Sequence, residues 1–141
     1  MKDIMFESVY LDTAKSIPIL YDLLQERTPE QSISHVEMPH IEEHIRFVMS
    51  KPYFAWYLIV GNVDGILNKV VGSIYVTNKR EIGIFIFNKY IGKGYGKSAV
   101  LKVMEMWPNG RFYANVNPHN EASKRLFESI GGRVIQHTYV L

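Results

Sequence analysis

The residues with the clearest chemical potential lie in one short run, Ile91-Gly92-Lys93-Gly94-Tyr95-Gly96-Lys97-Ser98, which joins an apolar stretch to an amphipathic one. Glycines let the backbone turn through positive φ and aim successive N–H groups at one point, and a following helix N-terminus adds partial positive charge. Such a loop suits a phosphate. Several ligands exploit that physics. A dinucleotide loop needs G-x-G-x-x-G at the start of a βαβ unit, with an acidic residue about 20 positions on, whereas the spacing here is G-x-G-x-G. Gly96-Lys97-Ser98 ends like a nucleoside-triphosphate loop, but Ile91 stands where that loop's first glycine belongs. Too little chain follows for the parallel sheet and acidic metal ligand such a site requires. A ligand-free glycine turn into a core helix is the plainest reading, at the entropic cost of three glycines.

A second run, His40-Ile41-Glu42-Glu43-His44, has the spacing with which inverted zinc peptidases hold a metal between two histidines of one helical face. It begins directly after Pro39, His44 also belongs to an apolar stripe, and no third ligand is evident. The acidic pair is equally suited to a helix N-terminus, where the dipole favours negative charge. No metal is expected.

The elements that must position these residues follow from periodicity. Ile17, Leu20, Leu23 and Leu24 share a helical face that Asp12 or Thr13 can cap, with Pro18 in the first turn. Ile41, His44, Ile45 and Val48 predict a second helix. From Phe54 the pattern becomes FAWYLIV, KVVGSIYVT and EIGIFIF, three antiparallel strands separated by Asn62 with Asp64-Gly65 and by the tight turn Asn78-Lys79-Arg80. Ser98 to Trp107 returns to helical spacing, RFYANV reads as a fifth strand, Asn120 to Ile130 as a last helix and RVIQHTYV as a final strand. The expected order, counting an N-terminal strand, is β-α-α-β-β-β-α-β-α-β. This is an α+β domain spanning 1–141, a mixed, mostly antiparallel sheet with helices on both faces.

Composition narrows the function classes. The chain has 141 residues, 47% apolar, with 16 basic and 14 acidic side chains and a net charge of +2. That is enough chain for a real core. The thin charge and the lack of like-charge blocks argue against nucleic acid as a partner. Without cysteine there is no disulfide framework or thiolate site, a composition compatible with a reducing cytoplasm. Asp3 and Glu7 interrupt the apolar stretch a signal peptide needs, and no run nears the ~18 apolar residues of a bilayer span, so no membrane association is expected.

Taken in order, EIGIFIF, IGKGYGKS, RFYANV and NPHNEASKRLFESIGG resemble the acetyl-CoA signature of the GNAT superfamily of N-acyltransferases. The family's loop reads [QR]-x-x-G-x-[GA], and its later segment approximately N-x-x-[AS]-x-x-x-[YF]-E-x-x-G. The resemblance is detailed over about residues 69 to 141. It implies acetyl-CoA as co-substrate, its diphosphate on the backbone amides of Gly92, Lys93, Gly94, Tyr95, Gly96 and Lys97. It also implies a pantetheine arm paired like an added strand with Phe85, Ile86 and Phe87, and contacts from Asn120, Ser123 and Phe127. Asn120 is equally suited to cap its helix. Ile91 stands where the family usually has Gln or Arg, and Phe127 where many members carry a tyrosine able to donate a proton.

Acetyl transfer to an amine requires a neutral nitrogen and hence a proton acceptor. The resemblance points to Glu81, which alternation places on the face of Gly83, Phe85 and Phe87. Four residues separate it from Phe85, roughly 13 Å along a strand, so relay through water is expected. A charge facing solvent beside Lys79 and Arg80 is the plainer reading. His119 and Tyr113 are the alternative proton donors. In the family layout the segment between the first two helices roofs the acceptor, making His35 and Glu37 the substrate-binding candidates. The expectation is therefore a cytoplasmic acetyl-CoA-dependent N-acetyltransferase, monomer or homodimer, acting on a small-molecule primary amine such as an amino sugar or metabolite amine. The rival readings are an inactive CoA-binding or scaffolding module, a protein N-terminal or lysine acetyltransferase, and a nucleoside-triphosphate binder.

Overall fold

The computed structural model describes residues 1–28 and 37–141. In chain order they form β1 (Ile4–Ser8), α1 (Thr13–Gln25), α2 (Ile41–Met49), β2 (Ala55–Val63), β3 (Ile66–Val76), β4 (Ile82–Ile86), α3 (Tyr95–Met106) and α4 (Glu121–Ser129), with 3-10 turns at Val9–Leu11 and Asn88–Tyr90. The strands pair antiparallel in the order β1-β2-β3-β4.

Period-two alternation sends side chains of each strand to opposite faces. Ile59, Ile74, Val76 and Ile82 join Ala99, Val100 and Val103 of α3 in one core, with Leu126 and Phe127 of α4 packed against it. Trp56 and Leu58 join Leu20, Leu23 and Val48 of α1 and α2 in a second, against which Tyr75 and Phe85 pack. The result is helices, sheet, helices in three layers. Leu58, Ile59 and Ile74 are wholly removed from solvent, each burial being worth about 1.5–3 kcal/mol.

Local chemistry sets the boundaries. Asp12 caps α1, its carboxylate accepting from the Lys15 amide at 3.1 Å. Asp64 and Gly65 both adopt positive φ, 48° and 79°, the tight hairpin turn whose twist matches its strands. With so short a turn, β2 and β3 extend to Val63 and Ile66, and Asn62 lies within β2. Helix α3 starts at Tyr95 rather than Ser98, because Gly94 takes φ 92° as its N-cap. An added Cβ on Gly96, in the first turn, would meet Leu126 of α4 at 3.0 Å; that glycine serves close packing of two helices.

Two expected strands are corrected. The 111–116 segment makes one parallel bridge, Glu81 with Tyr113, the Tyr113 amide donating to Arg80 O at 2.9 Å and the Ile82 amide to Tyr113 O at 2.7 Å. Beyond that point no ladder joins it to β4. The 133–140 segment pairs with no strand among the described residues, and its side chains are exposed, Val134 at 69% and Tyr139 at 80%. Alternating apolar residues favour an extended backbone, but a strand exists only where its N–H and C=O groups find a partner. The described sheet thus has four strands where six were expected. No helix among the described residues is long and apolar enough to cross a membrane.

Candidate active site

The hydrogen bonding of β4 creates the site. Thr77 donates its amide to Glu81 O and Phe87 to Val71 O, both at 2.9 Å, so odd-numbered residues of this strand spend their backbone groups on β3. Even-numbered ones address the other edge, where Tyr113 satisfies Ile82. Past the single bridge, the backbone groups of Ile84 and Ile86 face a cleft of about 630 Å³. Of the three residues expected to present a free edge, Ile86 does so. Phe85 and Phe87 turn their backbone groups to β3, and Ile84 takes their place.

One end of the cleft is the N-terminus of α3. Ser98 donates to Gly94 O at 3.1 Å to close the first turn, so the amides of Gly94, Tyr95, Gly96 and Lys97 precede the helical ladder and have no partner within it. Gly92, Gly94, Tyr95, Gly96 and Lys97 all line the cleft, whereas Lys93 is exposed and lies off its wall. The Tyr95 side chain is buried against Tyr90 and beneath Lys2, whose backbone amide donates to Ser98 Oγ at 2.9 Å. It contributes its amide here, and its ring belongs to the core. From α4, Asn120, Ser123 and Phe127 line the opposite wall. Asn120 is also the helix cap, accepting from the Ser123 amide at 3.1 Å.

The other end is polar. Glu81 is half-buried in the cleft wall, and its carboxylate accepts from Asn115 Nδ2 at 2.7 Å and Thr77 Oγ1 at 3.2 Å. Beside it Tyr75 stacks on Tyr53, ring centroids 3.9 Å apart and planes within 4°. Tyr53 is held by a reciprocal pair of 3.1 Å bonds with Tyr10, the Tyr10 hydroxyl donating to Tyr53 O and the Tyr53 amide to the Tyr10 hydroxyl. Burial pushes the phenols of Tyr53 and Tyr75 above their ordinary range, and the two hydroxyls interact with each other. Arg27, at the end of α1, completes this wall.

Several candidates stand elsewhere. His35 lies outside the described residues; Glu37 is exposed and does not line the cleft. His119 and Tyr113 are likewise absent from its walls. His44 is buried between α1 and α2, its Nε2–H donating to Ile17 O at 3.1 Å, and burial lowers its pKa. Its Nε2 is therefore engaged by the backbone of α1. Among the described residues no group of three or more His, Asp or Glu side chains is placed to hold a metal ion. Arg27, Tyr53, Tyr75 and Asn115 were missed by sequence reasoning. Tyr75 sits in an apolar run that reads as a strand and Tyr53 just before another, and only the tertiary stack brings the two to one cleft.

A strand edge opened beside a helix N-terminus defines a site for a ligand with an anionic end and an amide-bearing arm. The chain belongs to the GNAT acetyltransferases: the family model described as Acetyltransferase (GNAT) domain matches residues 21–133. It is an acetyltransferase with acetyl-CoA as its acetyl donor. Comparison with curated proteins finds no match. Among solved structures, a domain from Methanocaldococcus jannaschii is similar at 25% identity, covering 93% of this chain and 88% of its own, with a TM-score of 0.75. An acetyltransferase from Thermus thermophilus shares the fold at 19% identity, 96% and 92% coverage and TM-score 0.73. So does yncA from Salmonella typhimurium, solved with its cofactor acetyl-CoA, at 15% identity, 93% and 79% coverage and TM-score 0.63.

Proposed function

We propose that the chain acetylates the primary amine of a small molecule, with the diphosphate of acetyl-CoA at the Gly92–Lys97 end of the cleft and the acceptor at the Glu81 end. The observation that carries this reading is the polarity of one continuous cleft: unpaired helix amides at one end, backbone groups of Ile84 and Ile86 along the middle, and a hydrogen-bonded carboxylate at the other. Acetyl-CoA supplies an acyl group activated as a thioester.

The residues divide the remaining tasks. The amides of Gly94 to Lys97 complement negative charge without needing the side chain that Ile91 lacks. Amide N–H groups of β4 serve an arm with peptide-like bonds, as in strand addition, and one aimed at a carbonyl oxygen stabilises the charge that develops there. Glu81, oriented by Thr77 and Asn115, takes the proton of the attacking amine directly or through one water. Phe127 offers no proton. The thiolate of CoA is a weak enough base to leave without one.

Calorimetric titration of acetyl-CoA, followed by thiol release across a panel of amines, tests the reading. Micromolar binding and amine-dependent thiol release are the expected results. Binding without turnover on any small amine, together with acetylation of peptides, would replace it with the protein-acetyltransferase reading.

A further inference from the structure

We propose that Arg27 and the Tyr53–Tyr75 hydroxyl pair form a subsite for an anionic group on the acceptor, so that the substrate is an amine also bearing a carboxylate or phosphate. This rests on the acceptor lying at the Glu81 end of the cleft.

Arg27 is fixed by its place in the fold. Its amide donates to Leu24 O at 3.1 Å in the closing turn of α1, and the adjacent Glu26 carboxylate accepts from the Asn88 amide at 2.6 Å, tying that turn to the end of β4. Arg27, from the same turn, lines the cleft. Arg27 forms no ion pair among the described residues; those present join Lys15 to Glu7 and Lys124 to Glu121. A half-buried guanidinium beside two phenols is costly to leave without a counter-charge, and its planar fork matches carboxylate and phosphate oxygens. Glu26, the nearest carboxylate in sequence, is engaged by a backbone amide. The positive charge of Arg27 is felt at both hydroxyls, and the charge of Glu81 at Tyr75 with opposite sign.

The acceptor end thus presents a cationic and an anionic group on either side of one tyrosine pair. A polyamine would set a second ammonium against Arg27. An amine with an acid group satisfies both: its nitrogen meets Glu81 and its oxygens meet Arg27, with the Tyr75 O–H as a further donor. The glycine end, where the amides of α3 lie, is left to the cofactor.

Matched pairs of probes decide the matter: β-alanine against propylamine, O-phosphoethanolamine against ethanolamine, and spermidine as the polycation. In thiol-release assays kcat/KM should favour the anionic member of at least one pair, and which pair responds separates carboxylate from phosphate. Arg27→Gln should reduce that preference about 10- to 100-fold, as expected for a lost charge-assisted contact, with partial recovery in Arg27→Lys and acetyl-CoA affinity unchanged. A preference for propylamine, ethanolamine or spermidine overturns the proposal, as does weaker acetyl-CoA binding in Arg27→Gln, which would place the guanidinium on the cofactor. Should no probe turn over, calorimetry of β-alanine and O-phosphoethanolamine on CoA-saturated protein decides instead. Binding abolished by Arg27→Gln upholds the subsite while the small-molecule acetylation reading falls, and absence of binding removes the subsite.

Discussion

The ring of Tyr75 lies directly over Gly83, its register partner across β3 and β4, in space that any side chain on Gly83 would occupy. The glycine in EIGIFIF thus lets a tyrosine from the neighbouring strand fold across β4 and reach the cleft. Tyr75 is hemmed in by Tyr53 on one face and Phe85 nearby, so it cannot swing aside cheaply. Gly83→Ala is expected to cost about 1–3 kcal/mol of stability through overpacking. It should also raise the acceptor KM more than that of acetyl-CoA. Urea denaturation and two-substrate kinetics check both, and equal effects on the two KM values would count against a role for Tyr75 at the acceptor end.

Glu81→Gln keeps the size of the side chain and removes the proton acceptor. The expected result is a kcat lower by about 10²- to 10⁴-fold, with acetyl-CoA affinity unaltered in calorimetry. Asn115→Ala withdraws one of the two donors orienting the carboxylate and should give a smaller loss in kcat. An unchanged kcat in Glu81→Gln removes the assignment of the base and leaves the cofactor end untouched.

Gly94 caps α3 at φ 92°, and a Cβ there would meet only Lys2 Cγ at an ordinary 3.6 Å. The penalty of substitution is therefore conformational, about 1–2 kcal/mol for a residue forced left-handed. Acetyl-CoA affinity should fall in the order Gly94, Gly94→Asn, Gly94→Ala, since asparagine tolerates this region better than alanine. Titration calorimetry of the three proteins reads the order, and equal affinities would argue against these amides as the diphosphate site.

Burial lowers the pKa of His44 from its ordinary 6.5, so the unfolded chain binds this proton at higher pH than the native one does. Stability from His44 is complete above about pH 6.5 and is lost as pH falls through the lowered native value. Urea midpoints should drop between pH 7.5 and 5.5, and less so in His44→Phe, which cannot titrate. At pH 7.5 that variant should lose about 1 kcal/mol with the bond to Ile17 O. An identical pH dependence in the two proteins would assign the effect to other groups.

Much of this was written locally. Period-3.6 spacing placed α1 and α2, with Asp12 one of two candidate caps, and aromatic and β-branched runs placed β2 to β4, because these signals report short-range sterics and one-sided burial. The glycine loop and its helix were legible for the same reason. Ser98 was mistaken for the start of α3 because nothing local announces that Gly94 adopts a left-handed cap or that Gly96 lets Leu126 approach.

Tertiary structure decided the rest. Whether RFYANV and RVIQHTYV become strands depends on partners many residues away, and a hydrogen-bond ladder is not encoded in the segment that would join it. The parting of 111–116 from β4 after one bridge is what exposes Ile84 and Ile86. Tyr53, Tyr75, Glu81 and Arg27 come from four places in the chain, and no spacing rule links them. Residue types foretold the glycine turn into a helix and the layers around it; which side chains share the polar end of the cleft followed only from how β4, α1 and the 111–116 segment pack in three dimensions.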